Sequence, residues 1–366
     1  MADTPDRRDP LVWVLLADRA GGNGQLLSLA EALGWPSERK TIAYNAANRL
    51  PNLLLGASLA GVQSGASSAL APPWPDLVLA ASRRSVPVAR WIRARSGGRT
   101  KLVHLLHAMA PLDLFDLVIT TPQYRLPARP NVLQLAAPLN RVAAATLRDA
   151  AAGWSPRLAH LERPLVALLV GGDSATYRFD AAVARRLAQT ANAAVAQGGK
   201  LLVSTSPRTA PAAADALAGA LAPASFVYRW RPGDADNPYH AFLALADRFI
   251  VTADSASQLV EAVMTGKPVE VFSWPPRRQP WPRDKADAHG GATGLVGRLV
   301  DWGLLKPPRD FAALHRALQS RGLIGSAAGA AQREPLDDME QAVAAIRRLF
   351  ATADAGPLVD APPHST

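Results

Sequence analysis

The sequence predicts an α/β protein with two domains, each built on a parallel sheet. A chain of 366 residues is long enough for two hydrophobic cores. Short, uninterrupted apolar runs alternate with helical patterns in both halves, which is typical of parallel sheets whose strands are buried on both faces. Apolar residues make up 49% of the chain and charged residues 19%, a balance typical of folded proteins.

In the first half, the apolar run 11–17 predicts the first strand. A glycine-rich loop follows it and leads into a helix over 25–33, which Gly34 and Pro36 end. Further strands are predicted at 41–44, 76–81, 101–106, 115–120 and 131–135. Residues 45–75 are rich in Gly, Ser and Pro and give no clear pattern.

The second half repeats this alternation. Strands are predicted at 165–170, 201–204, 226–230, 249–252 and 268–272, and helices at 180–197, 239–246, 255–265, 310–319 and 336–350. The segment 142–164 contains Gly153, Pro156 and Pro164 and is predicted to link the halves. The predicted units are an N-terminal domain over 8–155, a C-terminal domain over 160–350 and a disordered tail over 353–366.

The amino-acid composition excludes several classes of function. The chain has no Cys, which excludes disulfide scaffolds, thiolate nucleophiles and Cys-ligated metal centres. The formal charge is +10, and the segment Arg83–Lys101 holds seven basic residues and no acid. Two interpretations remain open: the segment faces an anionic membrane surface, or it is a solvated helix face packed through Val88, Trp91 and Ile92. It lacks the base-stacking aromatic residues of nucleic-acid readers, so no nucleic-acid partner is expected.

Neither a secretory signal nor an apolar stretch long enough to span a membrane is recognisable in the sequence. We therefore expect a cytoplasmic protein that contacts the inner membrane peripherally.

The turn Gly171-Gly172-Asp173-Ser174 follows a strongly apolar predicted strand. Consecutive glycines let backbone N–H groups approach an anion that a Cβ would exclude, so phosphate is the natural ligand. The alternative is an ordinary strand-to-helix turn in which Asp173 or Ser174 acts as a cap. The charge of Asp173 also opposes a diphosphate unless the side chain turns away.

The stretch 249–262 predicts a strand running into a helix that opens with hydroxyl groups. Ser255 and Gln258 have capping-box spacing, and the free N–H groups of such a helix attract a diphosphate. Ser257 and Glu261 share one face, from which the carboxylate can hold a ribose diol. The alternative is a capped amphipathic helix with Glu261 in solvent. Beside it, Ser206 and Arg208 follow another predicted strand; Arg208 can bind phosphate, or the segment is a surface turn.

The first strand-to-helix loop contains Gly21, Gly22, Asn23 and Gly24 but lacks the third glycine of a dinucleotide fingerprint. No Tyr has a Lys four residues after it, which disfavours hydride chemistry of the short-chain dehydrogenase type. Asp18 is the only acid in this loop and is a candidate general base, or else a cap or a partner of Arg19. His104 and His107 have no third ligand at metal-binding spacing, so no metal site is expected.

Several motifs together resemble a family of mitochondrial-fission proteins named for the plant "elongated mitochondria" protein, which has many bacterial members. The motifs are Asp18–Gln25, Phe115–Ile119, Gly171–Ser174, Asn237–Tyr239, Ala246-Asp247, Thr252–Ser255 and Thr265–Val269. They span about residues 11–273. The family is in turn similar to GT-B glycosyltransferases, particularly the enzyme that adds N-acetylglucosamine to lipid-linked muramyl-pentapeptide.

In that enzyme class, a glycine-rich loop and a hydroxyl-rich helix start bind the nucleotide diphosphate, and a Glu holds the ribose. The matching positions here are Gly171, Gly172, Ser174, Ser255, Ser257 and Glu261. The resemblance assigns the loop Gly21–Gly24 to the acceptor side. Two departures stand out: Asp173 replaces an uncharged residue, and the first loop has no histidine-type base, which leaves Asp18.

The resemblance thus implies two Rossmann-like domains facing a cleft, as in GT-B proteins, and a nucleotide-sugar donor without metal or other cofactor. Ser206, Arg208 and Asn237 complete the predicted donor site. Two functions remain open. One is a glycosyltransferase acting on a membrane-associated or cell-envelope glycan acceptor. The other is a non-catalytic peripheral membrane adaptor.

Overall fold

The computed structural model describes residues 9–17, 22–139, 142–223, 225–277, 294–302, 304–305, 308–325, 334 and 336–351. Asp18, Gly21 and the predicted tail 353–366 lie outside the described residues.

The N-terminal domain is built on a six-stranded parallel sheet. In chain order its strands are β1 (Val12–Ala17), β2 (Ser37–Ile42), β3 (Leu77–Ala81), β4 (Lys101–Leu105), β5 (Leu117–Thr120) and β6 (Val132–Gln134). Their order across the sheet is β2-β1-β3-β4-β5-β6. The strand predicted at 41–44 lies earlier, because β2 is an edge strand whose exposed polar residues hide it from an apolar search.

Helices cover both faces of this sheet. They are α1 (Asn23–Leu33), α2 (Asn52–Leu55) and α3 (Ser82–Arg95). Leu26 and Leu29 of α1 are buried on one face, while Val88 and Ile92 of α3 are buried on the other. This packing leaves the polar loops at the sheet's edges.

The C-terminal domain has a five-stranded parallel sheet with strands β7 (Leu165–Leu169), β8 (Lys200–Ser204), β9 (Phe226–Tyr228), β10 (Arg248–Thr252) and β11 (Val269–Phe272), in the order β11-β10-β7-β8-β9. The remaining helices are α4 (Ala144–Leu158), α5 (Ala181–Ala194), α6 (Pro211–Ala218), α7 (Tyr239–Leu245), α8 (Ala256–Val263), α9 (Gly294–Asp301), α10 (Phe311–Ser320) and α11 (Asp338–Ala351). The predicted α/β class with two parallel sheets is confirmed.

Two helices differ from their predicted places. The segment predicted to link the halves contains α4, whose Trp154 and Leu158 belong to the core of the C-terminal sheet. Conversely, α11 packs on the N-terminal sheet beside α1 through Ala342 and Ile346. The carboxylate of Asp338 holds the start of α11 against the N-terminal domain, because it accepts hydrogen bonds from the N–H groups of Ala136 and Ala137, at 2.8 and 3.0 Å. The apolar pattern of a helix predicts which of its faces is buried. It does not predict which of the two sheets that face packs against.

Across the described ranges, no helix is long and apolar enough to cross a membrane.

Candidate functional site

The C-terminal sheet has a topological switch point between β7 and β10. The chain continues from β7 to β8 on one side, whereas β10 lies on the other. In open parallel sheets, the crevice outside the carboxyl ends of such a strand pair is the usual ligand site. Two of the predicted motifs, Gly171–Ser174 after β7 and Asp254–Ser257 after β10, lie at this point.

The backbone N–H groups of the glycine turn are all engaged within the protein. Gly171 donates to Thr252 Oγ1 at 2.8 Å, and Gly172 donates to Asp254 Oδ2 at 2.9 Å. Asp173 donates to the carbonyl of Arg208 at 2.9 Å, and Ser174 to that of Tyr177 at 2.9 Å. A phosphate would have to replace these partners, so the turn as folded offers it no free amide.

Protein atoms also explain why glycine is needed in this turn. A Cβ on Gly171 would lie 2.7 Å from Asp254 Cγ, with both carboxylate oxygens nearer still. Gly172 has φ +144°, and a Cβ there would lie 2.6 Å from the amide nitrogen of Thr209 and overlap the carbonyl of Arg208. The close approach that the glycines permit is therefore made by the protein's own Asp254 and Arg208.

The polar side chains of the turn bind backbone N–H groups of the loop that precedes α5. Asp173 Oδ1 accepts the Phe179 N–H at 2.7 Å, and Ser174 Oγ accepts those of Thr176 and Tyr177 at 3.2 and 2.9 Å. The alternative that the sequence left open, a turn in which one of these residues caps the helix, is met only in part, because Asp180 caps α5. Asp173 turns its charge toward the following loop, so it does not point into the crevice. Ligand contact by Gly171, Gly172, Asp173 or Ser174 stays a prediction.

Asp254 and Arg208 form an ion pair beneath the crevice. Arg208 Nη1 lies 2.5 Å from Asp254 Oδ2; the carboxylate is fully buried, whereas the arginine side chain is 38% exposed. Burial raises the pKa of Asp254, while Arg208 and the Gly172 N–H favour its ionised form. One nitrogen of the guanidinium is thus held on the protein. Its exposed side supplies charge to the crevice.

Two hydroxyl groups support the loop that carries Arg208. Ser206 Oγ and Thr209 Oγ1 both donate to the carbonyl of Gly171, the second at 2.6 Å. Arg208 Nη1 reaches the carbonyls of Gly172 and Asp173 at 3.4 and 3.3 Å. The structure therefore brings together the predicted residues Gly171, Gly172, Ser206 and Arg208, with Ser206 in a supporting position.

Helix α8 begins at the crevice without a side-chain cap. Ser255 accepts no capping hydrogen bond, so the predicted capping box with Gln258 is wrong. The first N–H groups of a helix have no acceptor within it, and together with the helix dipole they attract an anion. Ser255 is nearly buried, and Ser257, in the first turn, is half-buried. The Gln258 Oε1 atom is buried without a hydrogen-bond partner.

Glu261 and Asn237 meet through Tyr239. The Tyr239 hydroxyl donates to Glu261 Oε2, and the Tyr239 N–H donates to Asn237 Oδ1 at 3.0 Å. Burial, the charge of Glu261 and this hydrogen bond raise the pKa of Tyr239 well above its ordinary value. Asn237 therefore holds the start of α7 in place. Glu261 is oriented by tyrosine and does not stand alone in solvent.

The N-terminal loop is described only from Gly22 onward. The side chain of Asn23 makes two hydrogen bonds to the backbone of Ala17, the last residue of β1. Its amide nitrogen donates to the Ala17 carbonyl at 2.7 Å, and its oxygen accepts the Ala17 N–H at 3.1 Å. A Cβ on Gly22 would lie 3.0 Å from that of Ala81, whereas Gly24 has open space. Asp18 and Gly21 lie outside the described residues, so their predicted roles stay predictions.

The carboxyl edges of the two sheets meet at residues that the sequence did not single out. The loop after β5 contacts the start of α10: Asp310 N–H donates to the Gln123 carbonyl at 2.9 Å, and Arg125 Nε lies 3.9 Å from Asp310 Oδ2. Arg309 lies over the Tyr124 ring at 5.2 Å. From the C-terminal side, Thr176 Oγ1 donates to the Arg309 carbonyl at 3.4 Å. The crevice thus lies beside a contact between the domains.

One further missed residue lies behind α8. His315 of α10 is largely buried and hydrogen-bonded to the Ala253 backbone, and its Nε2 has no partner. Burial lowers its pKa to about 4, so it is neutral at pH 7. A single histidine on an apolar helix face gives no signal in the sequence. Among the described residues, no three His, Asp or Glu side chains are grouped so as to hold a metal ion.

Comparison with known families matches residues 20–287 to the family described as mitochondrial fission ELM1. The chain belongs to this family. The resemblance seen in the sequence is thereby confirmed. The mitochondrial fission protein ELM1 of Arabidopsis thaliana is 29% identical over 240 residues, which is 60% of this chain and 56% of the plant protein. The chain therefore matches little more than half of that relative's length.

Two further similarities complete the comparison. This ELM1-family chain is 23% identical over 299 residues to the uncharacterized protein RP120 of Rickettsia prowazekii, covering 72% of this chain and 83% of that one. Among solved structures, UDP-GlcNAc 2-epimerase from Methanocaldococcus jannaschii is 12% identical, with a TM-score of 0.49 and coverage of 93% and 99%. A similarity of this degree carries no argument about function.

Proposed function

We propose that this ELM1-family protein binds a nucleotide sugar in the crevice at the start of α8. The observation that carries the proposal is the uncapped helix start at the switch point, with an exposed arginine beside it. The N–H groups of the first turn, the hydroxyls of Ser255 and Ser257 and the guanidinium of Arg208 suit a diphosphate. The diphosphate is placed on α8 rather than on the glycine turn, whose amides have protein partners.

Glu261 is proposed to hold the ribose. It lies six residues beyond Ser255, about 9 Å along α8 at ~1.5 Å per residue, which is a suitable separation for a ribose diol. The hydroxyl of Tyr239 occupies one carboxylate oxygen and fixes its orientation. The preorganised carboxylate then loses less side-chain entropy on binding.

The reaction proposed is transfer of the sugar to a hydroxyl of a membrane-associated or cell-envelope glycan. The acceptor oxygen bonds to the anomeric carbon, and the bond from that carbon to the diphosphate oxygen breaks. The leaving diphosphate gains negative charge, which the α8 N–H groups and Arg208 stabilise without a metal. The acceptor proton passes to a base, for which Asp18 is the candidate from the sequence.

The competing function is a non-catalytic adaptor at an anionic membrane surface. Two observations favour it: the name of the family and the glycine turn, whose amides are all satisfied by protein. In both functions the contact with the membrane is peripheral and cytoplasmic. The basic segment Arg83–Lys101 would supply the charge.

Calorimetric titration with uridine diphosphate, other nucleoside diphosphates and their sugars tests the proposal. We expect saturable binding that Arg208→Ala weakens by about 10–100-fold, the value of one lost charge-assisted contact. The matched control is Arg229→Ala, because Arg229 is a half-exposed arginine of the same domain that also pairs with an aspartate. It should bind as the wild type does.

Glu261 is tested separately. Glu261→Ala should abolish nucleotide binding, whereas Tyr239→Phe keeps the carboxylate and should retain it. Glu270→Ala, at an exposed site on β11, is the matched control for loss of a glutamate. Absence of binding by the folded wild-type protein across the whole series, combined with vesicle binding that nucleotides do not affect, would favour the adaptor.

A further inference from the structure

Three leucines are exposed together on the N-terminal domain. Leu50, Leu53 and Leu54, here called the leucine patch, are 47%, 58% and 70% exposed. The patch is held in place from below. Asn52 is buried and donates to the carbonyls of Ala108 and Met109, which follow β4, at 3.3 and 3.2 Å. The leucines therefore project from an anchored turn at the carboxyl edge of the sheet.

Arginines surround the patch. The guanidinium of Arg83 donates to the carbonyls of Asn48 and Leu50, the second at 2.6 Å. The Asn48 amide donates to the carbonyl of Arg84 at 3.3 Å, and Arg49 is exposed beside it. Two arginine side chains thus border the patch: Arg83 contacts the residues that begin it, and Arg49 is exposed among them, whereas Arg84 contributes its carbonyl only.

Acidic residues are almost absent from this part of the chain. Residues 39–112 contain ten basic residues and one acid, Asp76. Asp76 precedes β3 and accepts the Leu11 N–H before β1 at 2.9 Å, so it lies at the opposite, amino edge of the sheet. The segment 48–56 that forms the patch contains Arg49 and no acid, and the Arg83 side chain contacts it, so the patch is apolar at its centre and carries positive charge at its rim.

Helix α3 has no comparable apolar surface. Val88 and Ile92 are buried in the core, and Trp91 stacks against Trp74. Arg93 and Lys101 are paired with Asp116. Segment 83–101 supplies charge, but its apolar residues face inward, as in the solvated-helix alternative. An apolar surface that inserts into a membrane must therefore lie outside segment 83–101.

We propose that the leucine patch inserts into the headgroup region of an anionic lipid bilayer, with Arg49 and Arg83 on lipid phosphates. This rests on the membrane contact of the proposed function and names the element that makes it. An apolar centre with a cationic rim matches the interface of an anionic bilayer. A second copy of the chain fits poorly, because a symmetric contact would place the arginine rims against each other.

The test is sedimentation of the full chain with vesicles of phosphatidylcholine alone or mixed with phosphatidylglycerol. The wild type should bind the anionic vesicles and lose binding at high salt. The double variant Leu53→Ser/Leu54→Ser should bind them at least about tenfold more weakly, since it removes most of the inserted apolar surface. The matched control is Leu295→Ser/Leu304→Ser, which removes two leucines of similar exposure from the C-terminal domain and should bind normally.

Three results would overturn the proposal. One is unchanged binding by Leu53→Ser/Leu54→Ser with loss of binding by Arg95→Glu/Arg99→Glu, which would assign the contact to α3 alone. Another is a wild-type dimer that the leucine variant converts to a monomer, which would make a second copy the occupant. The third is a folded wild type that does not sediment with either vesicle. Nucleotide titration of the leucine variant keeps this test separate: the variant should bind nucleotide as the wild type does, because no leucine of the patch belongs to the proposed donor site.

Discussion

Among the described residues, His104 of the N-terminal domain and His315 of the C-terminal domain are largely buried. His104 of β4 is fully buried, with Nε2 3.2 Å from the Ser82 carbonyl and its ring 5.0 Å from that of Phe115. His315 lies behind the start of α8. Burial lowers the pKa of both from 6.5 to about 4. The protein should therefore lose stability in mild acid.

The sign and magnitude follow from proton linkage. Between pH 6.5 and 4, each histidine is protonated in the unfolded chain but neutral in the folded protein. Each therefore contributes stability that is present above pH 6.5 and is lost as the pH falls toward 4. At ~1.4 kcal/mol per pH unit, lowering the pH from 7.5 to 4.5 should cost about 2.5 kcal/mol for each histidine.

Urea unfolding at pH 7.5 and 4.5 measures this loss. His104→Gln and His315→Gln should each lower stability at pH 7.5 but reduce the difference between the two pH values by about 2.5 kcal/mol. His160→Gln, at an exposed site, is the control and should leave the difference unchanged. Equal pH dependence in the wild type and both variants would show that neither imidazole is kept neutral by burial.

Three further predictions concern packing and hydrogen bonds. Gly172→Ala should destabilise the protein by roughly 2–4 kcal/mol in urea unfolding, because the Cβ meets the Arg208 backbone at φ +144°; Gly24→Ala, with open space on α1, should be neutral or slightly stabilising. Asp254→Ala leaves the Gly172 N–H and Arg208 without their acceptor and should lower the free energy of unfolding by about 3–5 kcal/mol. The control Asp215→Ala removes one partner of an exposed ion pair and should lower it by less than about 1 kcal/mol. Equal losses in the two variants would contradict the argument from burial of the pair. Asp338→Ala should cost about 1–3 kcal/mol and increase hydrogen exchange at Ala136 and Ala137; unchanged exchange would show that α11 is held by apolar contacts alone.

The prediction of the fold from sequence succeeded where burial leaves a continuous apolar pattern. The strands β7 and β10 are buried on both faces, so their runs of Leu, Val and Ile marked them within one or two residues. The edge strand β2 carries exposed charge and was misplaced. Helix α4 was taken for a linker because Gly153 and Pro156 suggested a break, yet its buried Trp154 and Leu158 stabilise it against the C-terminal sheet.

The candidate site was likewise predicted from the sequence only in part. A strand followed by hydroxyl residues and a helix predicted that Ser255 and Ser257 would lie at a sheet edge, and the topology places that edge at the switch point. The partner of each group was not predictable. Asp254 lies beside Gly171 and Gly172 although more than 80 residues separate them, and only the packing of β7 against β10 brings the carboxylate to their amides.

The sequence by itself determined the α/β class, the buried strands and the family, because periodic burial and local motifs are properties of neighbouring residues. Only the tertiary structure decided that the glycines accommodate the protein's own Asp254, that α11 covers the first sheet, and that three leucines stay exposed among arginines. Those features depend on which distant groups compete for the same space and the same hydrogen bonds, and that competition exists only once both sheets have formed.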